Sequence, residues 1–230
     1  MLVVLGAVAS LFSLSATFPQ VLRALRIRST DGLSWAALLL NLAAVVLWGV
    51  YAAAVMDHVQ LFYNTVSFGL VVVLAAAVLR AGGRGWWTGT AGALLSVVVA
   101  GTVAVTVVET FDSLVLAMVG TVISSVRMWP QTRLALSRAP LWGLDPWATA
   151  LGWLGWLLWT AYGVTAGDHA LTVASLSGLL MQSTITAFRL PPRRTLHSIA
   201  GGRLGPLAAR VACPVSSRFP LQAEDFELVA

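Results

Sequence analysis

Two indoles and a small set of amides and hydroxyls are the groups in this chain of 230 residues best suited to holding a small polar solute. Trp48, Trp159, Asn41, Asn64 and Ser175 all lie within long apolar stretches. An indole offers an apolar face on which a polyhydroxylated ring can stack, and an amide both donates to and accepts from hydroxyls. Asn41, Trp48, Tyr51 and Val55 follow at spacings of seven, three and four, and Gly152, Trp159, Tyr162 and Ala166 repeat that stripe. Such spacing puts each set on one helix face. Trp near the end of an apolar span more often anchors at a membrane–water boundary, which is the reading for Trp86, Trp87, Trp142 and Trp147. Trp48 and Trp159 lie deeper and are read as substrate-facing. Asn64 and Ser175 point either to a cavity or to a partner helix. The hydroxyls of Ser10, Ser13, Thr17, Thr121 and Ser124 mark either close-packed surfaces or a lining, and Gln182, two turns beyond Ser175, adds a donor on that face.

Tyr51 with Asp57, and Tyr162 with Asp168, could close a gate through hydroxyl–carboxylate hydrogen bonds. Each Asp could equally cap the helix that follows it. Pro19-Gln20 and Pro130-Gln131 are read as hinges, because proline removes a backbone donor and kinks a helix; the alternative is that each proline simply ends its helix. Asp57-His58 and Asp168-His169 bring only one His per pair, so no metal site is expected. The single Cys213 excludes an intramolecular disulfide and gives no zinc site. No nucleophile–base pair is present, so no catalytic residues, no enzyme activity and no cofactor are expected.

The elements that must position these groups follow from composition. Hydrophobic residues make up 58% and charged residues 10%, against about 25% charged in a soluble domain, and mean hydropathy is +0.85. A polytopic membrane protein follows. The net charge of +5 is carried by Arg alone, and the Arg residues gather at one set of span ends. That is an orientation signal rather than a nucleic-acid patch. Absence of Lys beside abundant Ala, Val, Gly and Arg fits a GC-rich bacterial genome, and the expected location is the plasma (inner) membrane.

An offset of 111 residues, from Pro19 to Pro130, superimposes the chain on itself without gaps. Gly32-Leu33 falls on Gly143-Leu144, Leu47-Trp48 on Leu158-Trp159, Tyr51 on Tyr162, and Asp57-His58 on Asp168-His169. Rare residue types in one fixed register mark an internal duplication. Arg23, Arg26 and Arg28 follow the first span, Arg80 and Arg84 the third, and Arg133, Arg138, Arg189, Arg193 and Arg194 hold the matching places in copy two. Both copies therefore face the same way, which demands one extra crossing, supplied by Trp86 to Val108. The expected fold is all-α: seven transmembrane helices as 3+1+3, N-terminus outside and C-terminus cytoplasmic. Residues 1–80 form the first three-helix repeat, 81–111 the linker with the fourth helix, 112–190 the second repeat and 191–230 a disordered cytoplasmic tail. A cleaved N-terminal signal is disfavoured, since no basic residue precedes the first apolar run. Arg127 does not fit the charge pattern. It should snorkel to the cytoplasmic boundary or face a wet cavity.

Phe18-Pro19-Gln20 and Trp129-Pro130-Gln131, each opening a three-helix unit with a Gly-Leu turn and a Leu-Trp-x-x-Tyr helix, resemble the PQ-loop transporters, and within them the SWEET and SemiSWEET sugar transporters. The resemblance covers residues 1 to 190. It implies two parallel three-helix bundles with helix order 1-3-2, alternating access on proline hinges, and a central site of Trp and Asn. Here those would be Trp48, Trp159 and Asn64, with Ser175 where a second Asn is expected; Asn41 joins them from the helix-face reading and not from the resemblance. The outer gate would be Tyr51, Asp57, Tyr162 and Asp168. Pro146 matches a further hinge proline, whereas Trp35 stands in its place in copy one. The expected function is a uniporter moving a mono- or disaccharide down its gradient, with the bilayer and the sugar as partners, and association of whole pores into homo-oligomers left open. The alternatives are a proton-coupled, cystinosin-like amino-acid exporter, which would want an acid where Asn41 and Gly152 stand, and a non-transporting KDEL-receptor-like protein, which would want a charged pocket.

Overall fold

The computed structural model describes residues 1–27, 35–80, 85–136, 146–189 and 193–217. Every regular element among them is a helix: α1 (Leu2–Ile27), α2 (Trp35–Ala54), α3 (His58–Arg80), α4 (Trp86–Thr110), α5 (Ser113–Leu136), α6 (Pro146–Ala166), α7 (His169–Arg189), α8 (Arg193–Ala200) and α9 (Pro206–Ser216). The shortest of the first seven has 20 residues. At about 1.5 Å per residue it is about 30 Å long, the thickness of a bilayer's hydrocarbon core. Five helices, α2, α3, α4, α5 and α7, are long and apolar enough to cross a membrane. In α6 the polar tips of Trp147, Trp153, Trp156, Trp159 and Tyr162 dilute the hydropathy, and in α1 the apolar stretch is Leu2–Phe18. The chain is a multi-pass membrane protein.

Packing joins the first and last three long helices into a ring. α3 lies between α1 and α2, α7 lies between α5 and α6, and the ring closes where α1 meets α6 and α2 meets α5. α4 packs outside this ring, mainly against α2. Ser96 donates to the Leu39 carbonyl at 2.9 Å, and Ala100 and Ala104 are buried beneath it. The opposite face of α4, with Leu94, Leu95, Val98 and Val99, is exposed. A predominantly apolar helix needs no amphipathic stripe when its outer face meets lipid.

The α2–α3 and α6–α7 turns share one hydrogen-bond pattern. Asp57 N–H donates to the Ala52 carbonyl at 2.8 Å and Met56 N–H to Ala53 at 3.2 Å. Asp168 N–H donates to Gly163 at 2.9 Å and Gly167 N–H to Val164 at 3.3 Å. Each is a Schellman ending, which needs a left-handed residue at its tip. Copy two places Gly167 there (φ 72°) and copy one places Met56 (φ 56°).

α1 runs through Pro19 to Ile27 and α5 through Pro130 to Leu136, so neither proline ends its helix. Neighbouring helices can satisfy the carbonyl that each proline leaves without its donor. Gln131 is exposed, and the Gln20 side chain lies outside the described residues. Pro146 is the first residue of α6, where its missing N–H costs nothing and its fixed φ favours initiation. The two Gly-Leu turns and Trp142 also lie outside the described residues. In the described part of the tail, 193–217, the structure departs from the expected disorder: α8 and α9 form and pack on each other. Pro206 begins α9 and so favours the helix rather than breaking it, and the eight residues of α8 were too few for a convincing period.

Candidate functional site

The ring encloses a cavity of about 230 Å³ whose wall draws on both triplets: Trp48, Asn41 and Asn64 from one, Trp159, Ser175 and Arg127 from the other. Trp48 and Trp159 are held by reciprocal contacts. The Trp48 indole N–H donates to Ser124 Oγ on α5 at 3.2 Å, and the Trp159 N–H donates to Ser13 Oγ on α1, also at 3.2 Å. Each ring meets its own helix's tyrosine edge-on, Trp48–Tyr51 and Trp159–Tyr162 both at 5.4 Å and 83°. Small residues make room. A Cβ on Gly120 would come within 3.2 Å of the Trp48 ring, and Ala9, its counterpart, is fully buried in the cluster around Trp159. Ser13 and Ser124 are thus both lining residues and fixed acceptors for the indoles.

Beyond the indoles, at the end where the Schellman turns lie, the same reciprocity joins tyrosines to aspartates. Tyr51 donates to Asp168 Oδ1 at 2.8 Å, and Tyr162 donates to both oxygens of Asp57 at 3.0 Å. Both tyrosines are buried. Each Asp caps its helix while it accepts from the tyrosine: Asp57 Oδ1 accepts the Val59 and Gln60 N–H groups at 3.0 Å, and Asp168 Oδ1 accepts the Leu171 N–H at 2.9 Å. A carboxylate has lone pairs for both partners. Gln60, which the sequence reading passed over, donates to Asp57 Oδ2 at 2.8 Å and reaches Asp168 Oδ2 at 3.5 Å. Its signal was available: Gln three residues after a capping Asp is the spacing of a capping box.

The amides and hydroxyls divide. Asn64 lines the cavity with its NH₂ donating to the Gln60 carbonyl at 2.9 Å. Its side-chain oxygen still offers an acceptor. Ser175 lines the cavity but donates to the Leu171 carbonyl at 2.6 Å, turned back on its own helix. Gln182 is not the extra cavity donor expected; it donates to the Thr149 carbonyl at 3.1 Å and ties α7 to α6. Tyr63, stacked obliquely on Trp159 at 5.0 Å, Ser67 and Trp156 also line the cavity. Their counterparts are Ala174, Gly178 and Val45, so the repeat could not flag them.

Arg127 does not snorkel. Its side chain lines the cavity, and its NH1 group donates to Asn41 Oδ1 on α2. The Nε–H is buried without an acceptor among the described residues. Asn41 supplies an acceptor at depth, which lets the guanidinium stay inside although a mid-span Arg costs about 2.5–3.5 kcal/mol. Their counterparts in the other copies are Ala16 and Gly152. The polar pair therefore breaks the symmetry of the cavity. Among the described residues no three or more His, Cys, Asp or Glu side chains converge as a metal site would require, and His58 and His169 are exposed.

Comparison with known proteins bears on residues and fold separately. Residues 1–57 match the family model of the PQ loop repeat. The structure is similar to a eukaryotic SWEET transporter, with a TM-score of 0.68 over 80% of this chain and 93% of that one, at 14% sequence identity. That likeness establishes the fold. No curated protein matches the sequence.

Proposed function

We propose that this PQ-loop, SWEET-like membrane protein is a carrier, moving a small sugar down its gradient by alternating access. The observation that carries this reading is the crossed Tyr51–Asp168 and Tyr162–Asp57 pairs, which tie the two triplets together at one end of a cavity they share. Bonds between two bodies that break and reform, rather than bonds within one, are what a gate requires. With the Arg-rich ends in the cytoplasm, the tyrosine–aspartate end faces outward and this conformation has its outer gate closed. Residues 1–80 and 112–190 are then the two moving bodies, with residues 81–111 as the tether, and Pro19-Gln20, Pro130-Gln131 and Pro146 are the hinge positions.

In this reading the substrate ring stacks against Trp48 and Trp159, whose N–H groups are already committed to serines, so their faces rather than their edges are offered. Asn41, Asn64 and Ser175 are the polar contacts. A volume of about 230 Å³ lies below the about 300–1,000 Å³ of pockets for drug-sized ligands and favours a monosaccharide over a disaccharide. Uncoupled transport is supported by the lining, which has no carboxylate among the described residues; intramembrane proton relays use such groups. Radiolabelled monosaccharide should equilibrate into proteoliposomes with equal pH on both sides, and Trp48→Ala or Asn64→Ala should abolish it. Uptake that appears only with a pH gradient would reject the uniport mechanism.

A further inference from the structure

Arg127 is a cation for which a neutral sugar has no evident need. One of its nitrogens donates to Asn41, its Nε–H is buried without an acceptor, and every other residue lining the cavity is uncharged. Asp57 and Asp168 are held by tyrosines and helix N–H groups at the gate. The guanidinium stays protonated at any physiological pH. The cavity wall thus carries one fixed positive charge with no matching negative charge among the described residues.

We propose that the cavity binds a hydroxylated monocarboxylate of monosaccharide size, a sugar acid, with its carboxylate on Arg127. This rests on the carrier reading above and narrows its substrate. The hydroxyls would meet the amide oxygens of Asn64 and Gln60 and the hydroxyl of Thr17, all on the cavity wall. Charge count favours carboxylate over phosphate: a phosphate ester carries about −1.5 to −2 and would leave excess negative charge buried beside a single guanidinium. Geometry agrees, since the planar fork of Arg suits a carboxylate and one nitrogen of that fork is committed to Asn41. So does the asymmetry. Ala16 and Gly152 stand where a symmetric cavity would repeat the Arg127–Asn41 pair, so the charge sits at one side only, as it does on a molecule with one acidic terminus.

D-glucuronate and D-glucose differ only in a carboxylate replacing a hydroxymethyl group, and D-glucose 6-phosphate serves as the phosphate comparator. Binding of each to the purified full chain, by calorimetry, should favour glucuronate over both others at least about tenfold, or about 1.4 kcal/mol. Arg127→Gln should collapse the ratio to near one, and Arg127→Lys should leave it intermediate. Glucose or the phosphate ester binding as tightly as glucuronate to the unsubstituted protein would overturn the proposal, as would no binding of glucuronate, or a preference that survives Arg127→Gln. If Arg127→Gln fails to fold, the ratios of the unsubstituted and Lys forms still decide. Trp48-dependent glucose uptake without a glucuronate preference would sink this inference alone. Arg127-dependent glucuronate binding without any transport would sink the carrier reading instead.

Discussion

The Tyr51 hydroxyl donates to Asp168 at 2.8 Å, and Tyr162, 111 residues further on, returns the contact to Asp57 at 3.0 Å. A hydroxyl–carboxylate bond is worth about 1.5–3 kcal/mol when charged, so this pair of contacts is strong enough to set the balance between two conformations. Tyr51→Phe with Tyr162→Phe should open this end. Spin labels at Val55→Cys and Ala166→Cys, equivalent exposed sites beside the two turns, in a Cys213→Ser background, should move apart. An unchanged distance distribution would mean that these bonds do not hold the gate.

Trp48 and Trp159 are fixed by serines of the opposite triplet, so ring face and indole edge can be tested apart. Trp48→Ala should lower transport at least about tenfold, equivalent to about 1.4 kcal/mol. Ser124→Ala, which frees the edge and keeps the face, should cost less. Equal losses from the two substitutions in an uptake assay would mean that ring position, and not stacking, is what matters.

Met56 occupies the left-handed tip that Gly167 occupies in the second copy. A left-handed non-glycine residue costs about 1–2 kcal/mol, partly offset by the entropy glycine loses on folding. Met56→Gly should therefore stabilise the protein by about 0.5–1 kcal/mol, raising the melting temperature by about 2–4 °C per kcal/mol. Gly167→Ala should lower it. Thermal denaturation in detergent measures both shifts, and a fall with Met56→Gly would contradict the strain.

The α1–α6 contact is close enough to exclude a methyl group. A Cβ on Gly155 would lie 2.4 Å from Ser13 Oγ and 3.3 Å from the Ser13 backbone, so the helix and not merely a side chain must move. Gly155→Ala should cost about 1–3 kcal/mol, the range for overpacking, and should displace the Trp159–Ser13 bond. Tryptophan fluorescence and thermal denaturation should change together; a silent substitution would mean that the two helices are less closely set.

What the sequence made legible, and what it hid, divides along the repeat. Trp48, Tyr51 and Asp57 could be found because their counterparts recur at one offset, and rare residue types do not recur by chance. The direction of the bonds among them could not be found that way. Reciprocal pairing between copies depends on how two helix triplets rotate against each other, which no single helix encodes. Gln60, Tyr63 and Trp156 have counterparts of another type, so the offset gave no signal for them. Arg127 was visible as a misfit, but its resting place depended on Asn41, a residue on another helix 86 positions earlier. Gln182 shares a helix face with Ser175 but ties α7 to α6 through the Thr149 carbonyl, because a face that looks toward the cavity also looks toward α6.

Counterflow tests the carrier account most directly. Proteoliposomes holding the full chain, preloaded with unlabelled solute at equal pH and zero membrane potential, are diluted into a trace of the same solute in labelled form. D-glucose and D-glucuronate are assayed separately. A carrier that exposes one shared cavity to each side in turn will draw label transiently above equilibrium with at least one of them, and Trp48→Ala will erase the overshoot. Label that rises only to equilibrium would indicate a channel, and label that binds without entering would indicate a receptor; either result contradicts alternating access.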